Sequence, residues 1–171
     1  MIDRSVRRVA SLGLAVGAVL GMAGTFAPSA TLRGLAWGID GVGLVVAGAL
    51  LAVAFSRAGR ELAAAGFLVF TIGQALVLST AAMDLGASVP SFGAGLALWA
   101  AGLVLVGASD VFPIAVRALG FAAAALFGVT ALQIFAGALI TPTSSPLPVY
   151  AYPVFVATLA GWILALWRRQ P

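Results

Sequence analysis

The chain has 171 residues, of which 63% are hydrophobic and 8% are charged, and its formal net charge is +4. A soluble domain carries about 25% charged residues, so this composition excludes a water-soluble globular protein and indicates that lipid is the solvent. The absence of Cys, His and Lys excludes disulfides, the ordinary ligand sets of zinc, copper and haem, and a lysine Schiff base.

Six apolar segments follow one another along the chain, separated by short connections. Each is near or above the roughly 18 residues that indicate a membrane-spanning helix, although the fourth is marginal in length. The sequence therefore predicts an all-α polytopic membrane helix bundle, with residues 1–171 forming a single transmembrane domain. The six predicted spans are Val9–Ala27, Leu35–Phe55, Leu62–Met83, Phe92–Ala108, Ile114–Ile140 and Val149–Trp167.

The arginines predict the orientation of the bundle. If the N-terminus is cytoplasmic, eight of the nine arginines fall in inner segments and only Arg33 falls in an outer one. This bias follows the positive-inside rule, so we expect both termini in the cytoplasm. Trp37, Tyr150 and Tyr152 are expected toward the outer interface, where aromatic belts lie. The inner arginines are Arg4, Arg7, Arg8, Arg57, Arg60, Arg117, Arg168 and Arg169.

The first segment has a second interpretation. Residues 1–27 also resemble a secretory signal peptide, because a basic start is followed by an apolar stretch and then by small residues. The apolar stretch is longer than the core of a usual signal peptide, so we favour a membrane span. Cleavage would leave five helices and the same orientation of the C-terminus.

A gapless match of the chain with itself indicates an internal repeat. With a shift of 59 residues, GLVVAGA matches GLVLVGA, and Thr71 and Gln74 match Thr130 and Gln133. A real duplication makes the second and third helices a parallel repeat of the fourth and fifth. The other interpretation is chance similarity between segments composed mostly of Ala, Gly, Leu and Val.

The two Thr–Gln pairs are candidate polar sites. In each pair, the Thr lies three residues before the Gln on the same helical face. A glutamine in hydrocarbon needs hydrogen-bond partners for its amide. We expect either hydrogen bonds to neighbouring helices, each worth about 0.6 kcal/mol, or a small polar pocket near the midplane lined by Thr71, Gln74, Thr130 and Gln133. The first is favoured because such contacts between helices are common.

Asp40 is the only acidic residue inside a predicted span. If it marked the helix end, only Gly41 to Phe55 would remain, which cover about 22 Å of a hydrocarbon core about 30 Å thick. Asp40 is therefore predicted one or two turns inside, where an ionised carboxylate costs roughly 2.5–3.5 kcal/mol. We favour an outer ion-pair cluster of Arg33, Asp40 and Asp84. The alternative is a protonatable or cation-binding carboxylate.

Glycines at intervals of four residues predict close helix packing. Gly13, Gly17 and Gly21 form one stripe in the first span, and Gly34 and Gly38 form a second motif at the start of the next. Glycine at this spacing lets two helix backbones approach closely. We expect packing inside the bundle, with self-association through the first helix as the alternative.

The sequence does not predict an enzyme, because the five acids are scattered and a Ser or Thr nucleophile would lack a base. We expect an accessory, assembly or ligand-holding bundle that has no cofactor or metal and binds no nucleic acid. It contacts the lipid bilayer, and other membrane subunits or a second copy are possible partners through the glycine faces. The alternative is a small-solute or proton-coupled transporter that uses Asp40 and the Thr–Gln pairs.

The composition also indicates the source. Ala, Gly and Arg stand in place of Lys and Asn, as is typical of a bacterium with a GC-rich genome. We therefore expect a multi-pass protein of the bacterial inner membrane.

Overall fold

The computed structural model describes residues 2–81 and 84–168. These residues form six α-helices of 18 to 28 residues, and no β-strand occurs within them. The helices are α1 (Arg4–Thr25), α2 (Ala30–Arg57), α3 (Glu61–Thr80), α4 (Val89–Ala108), α5 (Ile114–Phe135) and α6 (Ala151–Arg168).

All six helices are long and apolar enough to cross a membrane. The mean hydropathy of their most apolar windows lies between 1.3 and 2.1. This confirms the prediction of an all-helical chain with six candidate spans. The marginal fourth span begins earlier than predicted, because Val89 and Pro90 form its first turn and extend α4 to 20 residues. Proline is tolerated there because the first N–H groups of a helix have no partner within the helix.

Two glycines with positive φ end helices. Gly59 (φ 67) follows α2, and the amide of Arg60 donates to the carbonyl of Phe55 at 2.9 Å. Gly137 (φ 95) follows α5, and the amide of Ala138 donates to the carbonyl of Gln133 at 2.9 Å. These bonds define the Schellman ending, in which a left-handed glycine closes the last turn. The predicted fifth span, which continued to Ile140, was therefore too long.

The helices form a closed ring. Each helix packs with its neighbours in the chain and α1 also packs with α6, while no other pair of helices within residues 2–81 and 84–168 brings Cα atoms within 8 Å of each other. Consecutive helices run in opposite directions. One end of the ring thus holds the start of α1, the end of α2 and the end of α6, and we call it the arginine end.

Aromatic side chains fill the lumen of the ring. Rings from different helices meet across it, for example Phe67 of α3 and Trp162 of α6, whose centroids lie 4.9 Å apart. Contacts continue through Phe70 to Trp99 at 6.0 Å and on to Phe155 at 4.9 Å. We call this set the aromatic column: Phe55, Phe67, Phe70, Trp99, Phe112, Phe127, Phe155 and Trp162.

The glycine stripe of α1 packs against α2 inside the bundle, which is the use that the sequence favoured. Gly13 faces Gly43, where an added β-carbon would lie 3.1 Å from the Gly13 carbonyl oxygen, and Gly17 faces Leu44. The motif in α2 behaves differently. A β-carbon on Gly34 would lie 3.4 Å from the Ala81 carbonyl oxygen, and one on Gly38 would meet nothing within 4 Å.

A second glycine interface, which the sequence analysis missed, joins α3 to α4. An added β-carbon on Gly102 would lie 2.8 Å from the carbonyl oxygen of Gly66. Two turns away, one on Gly73 would lie 2.9 Å from the carbonyl oxygen of Gly95. Both members of each pair are glycine, so the two backbones touch directly. Because the glycines of each helix are seven residues apart, the motif of four-residue intervals does not predict this interface.

Apart from Asp40, the charged residues of the described chain lie near the ends of the helices. Arg60 and Asp110 form an exposed ion pair at 3.1 Å at the arginine end, and Arg117 donates to the Gly107 carbonyl at 2.6 Å. Arg33 lies in the second turn of α2 at the opposite end. Two residues of the sequence predictions, Arg169 and Met83, lie outside the described residues.

Candidate functional site

A cavity of about 50 Å³ lies inside the ring, near the end where α1 and α3 finish. Several helices bring polar side chains to its wall, among them Asp40 of α2, Gln74 of α3, Trp99 of α4 and Tyr152 of α6. Its volume matches one or two water molecules, each of which occupies about 30 Å³ in the liquid. We call it the Asp40 cavity.

Three buried polar atoms of this wall have no hydrogen-bond partner in the described chain. They are Oδ1 of Asp40, Oε1 of Gln74 and Nε1 of Trp99. An unsatisfied buried polar group costs about 1–3 kcal/mol, and more when it is charged. Native proteins pair the great majority of such groups with protein or ordered water. The three residues that carry these atoms line the same cavity.

The start of α2 carries Asp40 into the bundle. The side chain of Ser29 accepts from the amide of Leu32 at 3.2 Å and caps the helix there, and the helix begins at Ala30. Asp40 is ten residues further on, about 15 Å along the axis, and is 9% exposed. This confirms neither interpretation of its chemistry, but it places the carboxylate deep among other helices.

Glycine in α1 leaves the room that the carboxylate occupies. A β-carbon added to Gly21 would lie 3.1 Å from Oδ2 of Asp40, which is closer than most real contacts of a β-carbon. The carbonyl of Gly21 accepts from Nε1 of Trp37 at 3.3 Å and from Oγ1 of Thr25 at 2.9 Å. The last glycine of the α1 stripe thus leaves room for a side chain of the cavity wall and also allows close helix packing.

The expected ion pair of Arg33 with Asp40 is not formed. The Arg33 guanidinium lies 5.8 Å from the ring centroid of Trp37 instead. Trp37 follows Arg33 by one turn and precedes Asp40 by one turn, so its ring occupies the face between them. Seven residues of helix also separate the two by about 10 Å along the axis.

Asp84 does not join Asp40 either. Its carboxylate accepts from the amides of Gly86 at 2.9 Å and Ala87 at 3.2 Å. Arg33 and Asp84 line a separate cavity of about 450 Å³, but within residues 2–81 and 84–168 they are not within ion-pair distance. The predicted cluster of Arg33, Asp40 and Asp84 is therefore not assembled, and Asp40 keeps no cationic side chain as a partner.

The two Thr–Gln pairs lie in different environments. Gln74 is 1% exposed and lines the Asp40 cavity, whereas Gln133 is exposed in the last turn of α5. Thr71 and Thr130 donate to the carbonyls four residues earlier, Phe67 at 2.7 Å and Leu126 at 2.8 Å. The structure thus does not bring the four residues together. Gln133 was predicted near the middle of the fifth span because that span was predicted to continue to Ile140.

The sequence missed two residues of the cavity. Tyr152 was assigned to an aromatic belt, but it faces inward, and its hydroxyl donates to the Pro142 carbonyl at 3.0 Å. Trp99 was not among the predicted site residues, although it is the eleventh of 20 residues in α4. A tryptophan in mid-span carries an N–H that lipid cannot satisfy, and this signal could have identified it.

The polar groups of the cavity wall can bind a ligand, but few of them could take part in making or breaking a covalent bond. The wall presents one carboxylate, one amide and the unpartnered indole N–H of Trp99, while the indole of Trp37 and the hydroxyls of Thr25, Thr80 and Tyr152 donate to backbone carbonyls. No group of three or more acidic, His or Cys residues that could hold a metal ion occurs in the part of the chain that the structure describes.

Fold and cavity together are consistent with a multi-pass helical membrane protein that has a polar site inside a ring of six spans. Comparison with models of known families, with curated proteins and with solved structures finds no match.

Proposed function

We propose that this protein is a ligand-holding helix bundle of the bacterial inner membrane and that the Asp40 cavity binds a small monovalent cation. The observation that carries this proposal is the convergence of three unpartnered polar atoms on one cavity, one of them a carboxylate oxygen. The proposed orientation, with the arginine end in the cytoplasm, rests on the positive-inside bias.

The charge and size of the site define the ligand class. An ionised carboxylate in a low-dielectric interior needs a compensating positive charge, and Arg33 does not supply it. One carboxylate balances one positive charge. The oxygens of Asp40 and Gln74 suit a hard cation, and the Trp99 N–H needs an acceptor. A cation with one water molecule meets all three needs within about 50 Å³.

Equilibrium titration tests the proposal. The purified chain in mild detergent is titrated with sodium, potassium or ammonium chloride against choline chloride at constant ionic strength. Tryptophan fluorescence reports binding, because Trp37 and Trp99 line the cavity. We expect a saturable response to at least one cation in the wild type and none in Asp40→Asn. Asp84→Asn is the matched control, because its acid lies at the same end outside the Asp40 cavity.

Two results would overturn the proposal. The first is a wild-type protein that responds to none of the three cations. The second is a response in Asp40→Asn that matches the wild type. The second comparison requires a folded Asp40→Asn protein, shown by an unchanged elution volume and helix content.

We further propose that the bundle does not catalyse a reaction. The cavity wall lacks a nucleophile next to a base, and the sequence has no His, Cys or Lys to supply one. Association with other membrane subunits stays a prediction. Gly13, Gly17 and Gly21 pack against α2 within the bundle. This packing does not favour self-association through the first helix.

Cation transport is the second candidate, favoured by the position of a second cavity. The Asp40 cavity lies at one end of the aromatic column, with Trp99 and Phe155 in its wall, and a larger cavity at the arginine end has Phe55 and Phe112 in its wall. A hydrophobic constriction between two cavities can act as a gate. Cation flux into proteoliposomes that disappears in Asp40→Asn would support transport, whereas binding without flux supports the ligand-holding function.

A further inference from the structure

The arginine end contains a cavity of about 450 Å³ that the ligand-holding function proposed above does not use. It lies between the start of α1, the end of α2, the connection between α4 and α5, and the end of α6. Arg4, Arg7 and Arg60 lie in its wall beside apolar residues that include Phe55, Phe112 and Leu166. Its volume falls within the range of about 300–1,000 Å³ that is typical of small-molecule sites. We call it the arginine cavity.

The charge of this cavity is not balanced by its own side chains. Arg60 pairs with Asp110 at 3.1 Å, and both side chains are more than half exposed. The carboxylate of Asp3, next to Arg4, accepts instead from the amides of Ser5 and Val6 at the start of α1. Within the described chain, no other acid lies within ion-pair distance of these three arginines. Two positive charges therefore remain on the wall.

Arg7 contacts an aromatic side chain and has an unpartnered N–H group. Its guanidinium lies 5.4 Å from the ring centroid of Trp167, and Nε1 of Trp167 donates to Oγ of Ser11 at 3.0 Å. Nε of Arg7 is buried and has no hydrogen-bond acceptor in the described chain. A guanidinium without an acidic partner suits a phosphate or carboxylate, which can accept two parallel hydrogen bonds from its N–H groups.

The geometry points to the arginine cavity as a binding site for an anionic amphiphile, namely a membrane phospholipid whose phosphate contacts Arg4 and Arg7 and whose acyl chains contact the apolar wall. The cavity lies at the ends of the membrane-spanning helices, which is the depth of lipid headgroups. Basic pockets between helices at this depth are suited to anionic lipid headgroups. The apolar wall distinguishes the site from one that binds free phosphate alone. This inference is independent of the Asp40 cavity.

Binding of a short-chain lipid to the full chain in mild detergent tests the inference. Dioctanoyl phosphatidylglycerol is the probe, dioctanoyl phosphatidylcholine tests the need for net negative charge, and inorganic phosphate tests the need for acyl chains. Native mass spectrometry and the melting temperature report binding. We expect saturable binding of the phosphatidylglycerol, at least about tenfold weaker binding of the phosphatidylcholine, and no stabilisation by phosphate at the same concentration.

Two variants separate the site from general surface charge. Arg7→Gln should weaken binding of phosphatidylglycerol by about tenfold or more, because a charge-assisted contact is lost. Arg8→Gln is the matched control, since Arg8 is an exposed neighbour that does not line the cavity. Equal losses in the two variants, or no loss in Arg7→Gln, would overturn the inference. Stabilisation by phosphate equal to that by phosphatidylglycerol would contradict a lipid and indicate a simple anion site.

A second variant covers the case in which Arg7→Gln fails to fold. Ala58 lies exposed at the C-terminal cap of α2, on the rim of the arginine cavity. Ala58→Trp adds bulk there and keeps all arginines. We expect it to fold like the wild type and to bind phosphatidylglycerol at least about tenfold more weakly. Unchanged binding in this variant would overturn the inference.

Discussion

Gly21 of α1 lies directly against the carboxylate of Asp40 of α2. A β-carbon on Gly21 would lie 3.1 Å from Oδ2 of Asp40, and Oδ1 of the same carboxylate has no hydrogen-bond partner in the described chain. The contact makes the α1 stripe part of the candidate site. Glycine in this stripe has two roles, close helix packing and leaving room for a ligand. A sequence motif does not distinguish these two roles.

The first prediction concerns this contact. In Gly21→Ala, the new methyl group must displace the carboxylate or helix α1 by a few tenths of an ångström. We expect weaker cation binding in the titration described above, together with a loss of stability of about 1–3 kcal/mol from overpacking. Gly38→Ala is the matched control, because a β-carbon there meets nothing within 4 Å. It should leave binding unchanged and gain up to about 1 kcal/mol from helix propensity. Equal behaviour of the two variants would contradict a role for Gly21.

The second prediction concerns the glycine interface between α3 and α4. In Gly102→Ala, the β-carbon would lie 2.8 Å from both the Gly66 carbonyl oxygen and the Phe70 amide nitrogen. Backbone atoms are not free to turn away, so the helices must separate. We expect a loss of about 1–3 kcal/mol, which lowers the melting temperature by roughly 2–4 °C per kcal/mol.

Gly128→Ala in α5 is the control for this interface. A β-carbon there would lie 3.8 Å from Cβ of Ala100, an ordinary contact distance. This variant should be as stable as the wild type or more stable, because alanine is the better helix former. A Gly102→Ala protein with the melting temperature of Gly128→Ala would show that α3 and α4 do not touch as described.

Hydropathy alone was sufficient to predict the six spans, but not which face of each span turns inward. Leu12 is 66% exposed and Leu14 is fully buried, although both are leucines of α1. In a soluble helix, the polar face marks the outside. In a membrane helix, lipid and core are equally apolar, so the pattern carries little of this information.

The candidate site could be predicted only in part for the same reason. Asp40 and Gln74 were identified because polar residues in spans are rare, and both line the cavity. Arg33 was assigned to Asp40 by its position along the helix, but the ring of Trp37 occupies that face. Gln133 was placed at mid-depth because no charged residue or proline interrupts the apolar segment between it and Ile140. The left-handed Gly137 ends it instead, and a glycine with positive φ is not distinguishable from any other in a glycine-rich sequence.

The third prediction concerns the start of α1, outside the apolar part of the helix. Hydrogen bonds from the hydroxyl of Ser5, then from the amides of Ser5 and Val6, lower the pKa of Asp3 below its ordinary value of 3.8. Because the pKa is lower in the folded state, the cap stabilises α1 above about pH 3.8, and this contribution is lost as the pH falls through the folded pKa.

The difference in melting temperature between the wild type and Asp3→Ala checks this sign. It should be constant from pH 7 to about pH 5 and should shrink toward zero as the pH falls below about 3.8. Asp3→Asn is the control, because its amide oxygen still caps the helix but does not titrate over this range. A difference between wild type and Asp3→Ala that grows on acidification would contradict the assignment of the cap.

The fourth prediction is the topology of the ring. The natural sequence contains no Cys, so single-cysteine variants give labelling without background. Ala58 and Ser145 are exposed at opposite ends of the helices, after α2 and in the connection between α5 and α6. In intact bacterial cells, we expect a membrane-impermeant maleimide to label Ser145→Cys and not Ala58→Cys. Labelling of both after the membrane is opened is the control for reactivity. Ala58→Cys labelled from outside, with Ser145→Cys protected, would reverse the orientation and place the arginine cavity against the outer leaflet. Equal protection or equal labelling of the two in intact cells would contradict the alternation of the six spans.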